Sequence, residues 1–334
     1  MRWFRRQRRQ LPWQPHGGAY EIWVAEIMLQ QTRMETVLPY FERFHARFPN
    51  VQALAEASEQ EVLRLWSGLG YYRRARMLHA AARQVVEQFD GELPQSAAAW
   101  RRLPGVGEYT SAAVASQAFG ERVAVVDGNV KRVAARYLGL ALAADQPALH
   151  RQAAEWGAEL MRDLPQARGG SRPAGDLNQA LMFLGASRCK PRQPDCASCP
   201  IQAGCKAAAS GQPEAWPLPA KKKAMKDLHL LFLVAGENRS WWLQARQEGW
   251  NPGLFEPPSL PDGDPTALRK FCRQHRVESA YQEIGEVRHT ITHHRIRARV
   301  LKFGSWDSSS GLDPAAVPLS ALGKKVLALA GYRS

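Results

Sequence analysis

The sequence predicts a protein of two parts, a mainly α-helical domain followed by a smaller α+β domain. Three observations carry that expectation. At 334 residues the chain is longer than one ordinary domain. Through its first two thirds, apolar residues recur at helical spacing, most plainly in YEIWVAEIMLQQTRMETVLPYFERF from Tyr20. Beyond SGQPEAWPLPAKKKAMK, a proline- and lysine-rich stretch from Ser210 to Lys226, strand-like runs replace the helical period. The boundaries this gives are 1–209 for the helical domain, 210–226 for a linker and 227–334 for the second domain.

With 45% hydrophobic residues the chain can bury real cores, which excludes general disorder. No apolar run approaches the roughly 20 residues that cross a bilayer. The start, MRWFRRQRRQ, is basic without the apolar stretch of a secretory signal, so a cytoplasmic, nucleoid-associated protein is expected. A formal charge of +14 and a pI near 9.9 favour a polyanionic partner. Arginines crowd Arg2 to Arg9 and the YYRRAR run from Tyr71 to Arg76, and lysines crowd Lys221 to Lys226.

Leu11-Pro12-Trp13 breaks the arginine-rich start ahead of the first long helix. On that helix Glu26 lies four residues after Ile22 and three before Leu29, on one apolar face. Such a carboxylate is either a rim residue or buried for a purpose, and burial would raise its pKa toward that of a general acid. Pro49 to Ala57 reads as a loop leading into a short helix, and Glu61 to Trp66 leads on from there. Ser67-Gly68-Leu69-Gly70-Tyr71-Tyr72-Arg73-Arg74 then offers a flexible loop with aromatic side chains and phosphate-binding charge. Met77 to Phe89 is an amphipathic helix, ended by Gly-Glu-Leu-Pro.

Leu103 to Asn129, LPGVGEYTSAAVASQAFGERVAVVDGN, is the centre of the chain. Pro-Gly-Val-Gly requires a sharp turn, Gly105 and Gly107 leave amide groups uncovered, and Thr110 to Ala118 reads as a helix. A glycine turn at a helix start suits a phosphate. Asp127 follows about twenty residues later, ahead of the basic helix Lys131 to Tyr137; alone it would be a surface residue in an Asp-Gly turn. Ala141 to Arg172 is alanine-rich and helical, loosening through RGGSRP from Arg168, and LNQALMFLGASRC delivers Cys189 on a helix. Cys189, Cys196, Cys199 and Cys205 follow at x6, x2 and x5 spacing; four thiolates suit tetrahedral zinc or a [4Fe–4S] cluster. In the last third, Leu228 to Ala235 and Ser240 to Ala245 read as strands about a Gly-Glu-Asn-Arg turn. Pro265 to His275 reads as a helix and Tyr281 to Phe303 as further strands. The run RHTITHHR from Arg288 to Arg295 could be a wet strand surface, a metal site or a base reader.

LPW, EIMLQQT, GLGYYRRARMLH, LPGVGEYTS, VDGNVKRV, LNQALMFLGA and the cysteine cluster together resemble the MutY-type adenine DNA glycosylases in order and spacing, over most of residues 11 to 206. The resemblance implies a helix-hairpin-helix glycosylase domain with its hairpin near 103–111 and an iron–sulfur loop at 189–205. It implies Glu26 as the acid that protonates adenine and Asp127 as the aspartate that stabilises the oxocarbenium-like sugar. Asn129 and Tyr109 would position the sugar and the acid. Gln31, Leu69 and Tyr71 match the residues that enter the base stack; Gly105, Gly107 and Lys131 would meet the DNA backbone. Cys189, Cys196, Cys199 and Cys205 would hold a [4Fe–4S] cluster. The last third resembles that family's Nudix-like domain, without the clustered glutamates of a Nudix hydrolase. There, Thr292 and His293 fall where the family carries Ser-His and would meet 8-oxoguanine.

The implied activity is excision of adenine opposite 8-oxoguanine or guanine in double-stranded DNA, by a monomer without a membrane partner. In the similar endonuclease III family a lysine stands at the position of Tyr109. Tyrosine cannot form a Schiff base, which points to a monofunctional glycosylase, although Lys131 lies close enough in sequence to Asp127 for side reactions. Phe183 departs from the family, standing where an acidic residue usually lies near the adenine. The alternatives are an endonuclease III-like glycosylase and lyase for damaged pyrimidines, or a catalytically silent DNA-binding or redox-sensing protein.

Overall fold

A computed structural model describes residues 1–7, 11–13, 18–166, 171–221, 224–247, 252–275, 277, 280–304, 306 and 311–333. Arg8, Arg9, Arg168, Lys222 and Lys223 from the basic and loosened stretches lie outside the described residues. Two compact units divide the chain, Met1–Glu56 with Met77–Lys221, and Ala57–Arg76 with Lys222–Ser334. The loop SGLGYYRR therefore groups with the C-terminal residues, where the sequence alone runs one helical domain unbroken to 209.

The first unit is helical: α1 (Arg2–Gln7), α2 (Ala19–Leu29), α3 (Met34–Arg47) and α4 (Val51–Glu56) precede the excursion of α5 (Glu59–Trp66) and the start of α6 (Arg73–Phe89) into the second unit. Then come α7 (Ala97–Trp100), α8 (Glu108–Val114), a π turn (Ala115–Phe119), α9 (Gly128–Leu138), α10 (Pro147–Arg162), α11 (Pro173–Ser187) and the short α12 (Lys206–Ala209). Helix α2 is buried nearly all round, as expected of a helix apolar on every face, and makes the centre. Trp23 on it is fully buried, its ring centroid 5.2 Å from that of Trp100. The helix expected over Thr110 to Ala118 starts two residues earlier and widens into the π turn at Ala115. Buried Asn178 of α11 ties this region together: its amide nitrogen donates to Ser116 Oγ and to the Val123 carbonyl, each at 2.9 Å. Its Oδ1 accepts from Val125 N at 3.0 Å. The stretch from Ser210 is no free linker in its first part. Leu218 N donates to the Leu142 carbonyl and Ala144 N to the Leu218 carbonyl, at 2.9 and 3.0 Å.

The second unit is built on a mixed sheet. Its strands in chain order are β1 (Lys226–Val234), β2 (Gly236–Glu237), β3 (Ser240–Trp241), β4 (Gln244–Ala245), β5 (Phe255–Glu256), β6 (Ser259–Pro261), β7 (Tyr281–Ile291) and β8 (His294–Phe303). The main sheet has the order β6-β1-β8-β7, with β1 parallel to β8 and the other pairs antiparallel. Alternation along β1 sorts its side chains onto opposite faces. Phe232 and Val234 join a core with Leu322, Val326 and Leu327 of α14 (Ala321–Leu329). Leu231 and Leu233 join another with Cys272 of α13 (Pro265–Gln274). The expected strand over Ser240 to Ala245 is broken into β3 and β4. Tyr72, from the early segment, donates to the Leu319 carbonyl at 3.2 Å within this unit.

Candidate active site and cysteine pocket

Glu26 sits in the middle of α2 at 6% exposure, so the expected face is a buried one. Its carboxylate is held from two sides: Tyr109 Oη on α8 donates to Oε2 at 2.7 Å, and Gln117 Nε2 on the π turn donates to Oε1 at 2.9 Å. Burial pushes the Glu26 carboxyl above the usual range; the two donors oppose that shift and the nearby Asp127 carboxylate adds to it. Burial also pushes the Tyr109 hydroxyl well up, so it stays protonated. That hydroxyl lies 3.6 Å from Met182 Sδ of α11. The Gln117 carbonyl accepts from Gln179 Nε2 at 2.6 Å, and Gln30 Nε2 donates to Thr110 Oγ1 at 3.1 Å. Gln117, Gln179 and Met182 were not among the expected residues. The available signal was the pair of polar side chains, Ser116 and Gln117, in the otherwise apolar run AVASQAF; their direction depends on the π turn, which no period reveals.

Asp127 is a helix cap as well as a candidate site residue. It is the N-cap of α9, its Oδ1 accepting from Val130 N at 2.7 Å, while Oδ2 accepts from Asn129 Nδ2 at 2.9 Å. Asn129 Oδ1 in turn accepts from Arg132 Nη2 at 2.9 Å, and Arg132 is anchored on the carbonyls of Gly185 and Cys189, each at 2.8 Å. Helix α11 comes so close that a Cβ on Gly185 would lie 2.6 Å from Asn129 Cβ. The structure thus brings together Glu26, Tyr109, Asp127 and Asn129. Lys131 is not with them: its amine donates to the Ala144 carbonyl at 2.9 Å.

The hairpin is as expected in form. Gly105 has φ +72° with Met77 Cβ 2.5 Å from where its own Cβ would be; exposed Gly107 begins α8 with open space around it. Gln31 is exposed at φ +58°, just past Gln30, the C-cap of α2. In the second unit Tyr71 is 44% exposed at φ +48°, but Leu69 is buried at 6% and is not displayed as a wedge. Arg74 stiffens this loop, donating to the Leu69 and Gly70 carbonyls at 3.4 and 3.2 Å beneath the Tyr71 ring; burial lowers its pKa to about 10. Thr292 and His293 form the two-residue turn of the β7–β8 hairpin rather than a strand surface. Thr292 is exposed at φ +53°, an unfavourable conformation for a β-branched residue, and its hydroxyl donates to the Ile291 carbonyl at 2.8 Å. Phe183 faces the N-terminal helix instead, its ring 5.5 Å from Trp3 and 6.0 Å from Phe4.

Cys189, Cys196, Cys199 and Cys205 are free thiols lining one pocket with Val133, Leu184 and Ile201. Arg136, only 2% exposed, donates to Cys189 Sγ at 3.4 Å and to the carbonyls of Lys190, Pro191 and Trp216 at 2.7, 3.0 and 2.9 Å. Among the described residues no group of three or more His, Cys, Asp or Glu side chains is gathered to hold a single metal ion. Four thiols around one pocket, beside a buried guanidinium, are a donor set that suits a larger, negatively charged thiolate-bound group.

Residues 24–159 match the family described as HhH-GPD superfamily base excision DNA repair protein. The adenine DNA glycosylase of Homo sapiens is 43% identical over 214 residues, 61% of this chain and 38% of that protein. The adenine DNA glycosylase of Buchnera aphidicola subsp. Acyrthosiphon pisum is 32% identical over 253 residues, 75% of this chain and 70% of that one. The chain spans about two fifths of the length of the mammalian relatives it matches. Among solved structures, a thermostable thymine-DNA glycosylase aligns with a TM-score of 0.54 at 29% identity, covering 63% of this chain and 93% of that one. A trapped endonuclease III–DNA covalent intermediate aligns at 0.51 and 23% identity, covering 63% and 92%, a likeness of fold alone.

Proposed function

The chain belongs to the adenine DNA glycosylases of the HhH-GPD base excision repair superfamily, and from that membership we propose that it excises adenine from double-stranded DNA by hydrolysing the N-glycosidic bond. The observation that carries the chemistry is Glu26, a buried carboxyl with its pKa raised, clasped by Tyr109 and Gln117. The substrate is adenine mispaired with 8-oxoguanine or guanine, and the protein acts as a monomer.

The hairpin backbone at Gly105 and Gly107 grips phosphates, and adenine is extruded from the stack, with Gln31 and Tyr71 entering the gap. Lys131 serves the backbone contact only if its amine leaves Ala144. Glu26 gives its proton to the leaving adenine while the C1′–N9 bond breaks and its electron pair departs with the base. Asp127, oriented by Asn129 and the α9 N-terminus, stabilises the sugar cation. Water then bonds to C1′, and its proton restores Glu26, as in two-carboxylate glycoside hydrolysis. Tyr109 offers a hydroxyl where a lyase needs an amine, so strand cleavage is not part of the reaction. Thr292 and His293, on their hairpin turn, contact the 8-oxoguanine edge. Cys189, Cys196, Cys199 and Cys205 would hold a [4Fe–4S] cluster, which when bound cross-links the 189–205 loop and takes no part in hydrolysis.

The test uses purified protein and duplexes carrying adenine opposite each of the four bases and 8-oxoguanine. Strand breaks should develop only after alkali, and fastest opposite 8-oxoguanine and guanine. Breaks without alkali, or release of oxidised pyrimidines in place of adenine, would refute the reading.

A further inference from the structure

The surroundings of Glu26 decide which of its oxygens can carry a proton. Oε1 faces the Gln117 amide N–H at 2.9 Å, and the Gln117 carbonyl is engaged by Gln179 Nε2 at 2.6 Å, so the amide does not turn over without losing that bond. A proton on Oε1 would meet another hydrogen head on. Oε2 faces the Tyr109 hydroxyl at 2.7 Å, a group that can donate or accept. The same hydroxyl lies 3.6 Å from Met182 Sδ, a weak acceptor with no hydrogen of its own to give.

We propose that Gln117 and Met182 are positioning residues for the acid proton: Gln117 closes Oε1 and confines the proton to Oε2, and the Met182 sulfur receives the Tyr109 hydrogen whenever Glu26 is protonated. This rests on Glu26 being the acid. With Glu26 ionised, Tyr109 donates to Oε2. With Glu26 protonated, Oε2–H donates to Tyr109 Oη and the tyrosine hydrogen turns to Met182. On reaction the Oε2–H bond breaks, its proton joins a ring nitrogen of the departing adenine, and Tyr109 swings back to the carboxylate. Among the described residues the titratable groups that bear on Glu26 are Tyr109 and Asp127; Gln117, Gln179 and Met182, which complete its surroundings from the π turn and α11, are neutral.

The experiment is single-turnover adenine release as a function of pH, on the full chain, for wild type, Gln117→Leu, Met182→Leu, Tyr109→Phe, the Tyr109→Phe/Met182→Leu pair and Glu26→Gln. The wild-type rate should fall at high pH as Glu26 loses its proton. Gln117→Leu removes a donor to the carboxylate, so the falling limb moves to higher pH. Met182→Leu removes the acceptor that the protonated state needs, so the limb moves to lower pH. The Gln117→Leu shift should be about half a pH unit or more, the value of one ordinary hydrogen bond, and the Met182→Leu shift smaller and of opposite sign, because a thioether is a weak acceptor. In the Tyr109→Phe background Met182→Leu should move nothing, since there is no hydroxyl hydrogen to receive. Plain loosening of the site would lower the rate without moving the limb in opposite directions. Gln117→Met, which keeps the length, replaces Gln117→Leu if that variant does not fold. Limbs that coincide with wild type, or a Met182→Leu shift that persists without the tyrosine hydroxyl, would overturn the proposal while an inactive Glu26→Gln leaves the acid standing. An active Glu26→Gln would overturn both.

Discussion

Glu26 is a single buried carboxyl whose protonation bears on stability and, in the proposed reaction, on chemistry. Its folded carboxyl titrates above its unfolded value because burial outweighs its two hydrogen bonds. The acid form is therefore the one the fold favours: the stabilising contribution is full below the unfolded pKa and is lost as pH rises through the folded one. Glu26→Gln should accordingly raise the melting temperature at pH 8, and the gain should shrink toward pH 4. Thermal melts across that range check it, and a gain that is independent of pH would show that Glu26 is not buried as a charge. Thr292 makes a different residue-scale case. Deleting its hydroxyl in Thr292→Val should lower the ratio of rates opposite 8-oxoguanine and guanine by the equivalent of about 0.5–1.5 kcal/mol, one hydrogen bond. An unchanged ratio in single-turnover assays would remove Thr292 from base reading. Of these residues, Glu26 was legible because helical spacing put it between Ile22 and Leu29. Thr292 was legible as a residue of interest but not as a turn residue, since the length of the β7–β8 hairpin follows from pairing across strands.

At the scale of elements, the site depends on a hairpin and on a helix with a π turn. The glycine pair could be read from the sequence because only glycine suits the left-handed backbone at Gly105. The two positions should nevertheless respond differently. Gly105→Ala combines φ +72° with a clash against Met77 and should cost about 1–3 kcal/mol, while Gly107→Ala fits open space and ordinary backbone and should leave stability nearly unchanged. Urea midpoints of the two variants decide the matter; equal losses would mean the hairpin is not held as described. The π turn was not legible. Ala115 to Phe119 has ordinary helical composition, and the extra residue in its turn, tied by Asn178 to Ser116, is what aims Gln117 at Glu26. Leu69 was open for a related reason: hydrophobicity marks it equally as a wedge or as core, and in this structure it is buried.

At the scale of the molecule, the switch from helical to strand periodicity was plain in the sequence, but the division of the chain was not. Ala57–Arg76 belongs with the C-terminal unit, and Leu218 pairs back toward Ala143, both contacts over sequence distances that local patterns do not carry. Cutting the chain after Lys206 would separate Ala57–Arg76 from the rest of its unit and remove the Trp216 carbonyl from Arg136. Substitution in the full chain is thus the sounder way to probe the second unit. The cysteine spacing was readable throughout. Protein purified without air should be brown with about four irons per chain, as a [4Fe–4S] cluster requires. Cys199→Ser should bleach it, and stoichiometric zinc with no iron would contradict the assignment. The central claim is that this chain removes adenine with Glu26 as the acid. It is tested most directly by measuring adenine release and DNA binding together for wild type and Glu26→Gln on the same adenine–8-oxoguanine duplex. The account predicts a loss of release of roughly 10²–10⁴-fold at unchanged affinity. Release within a few-fold of wild type would contradict it.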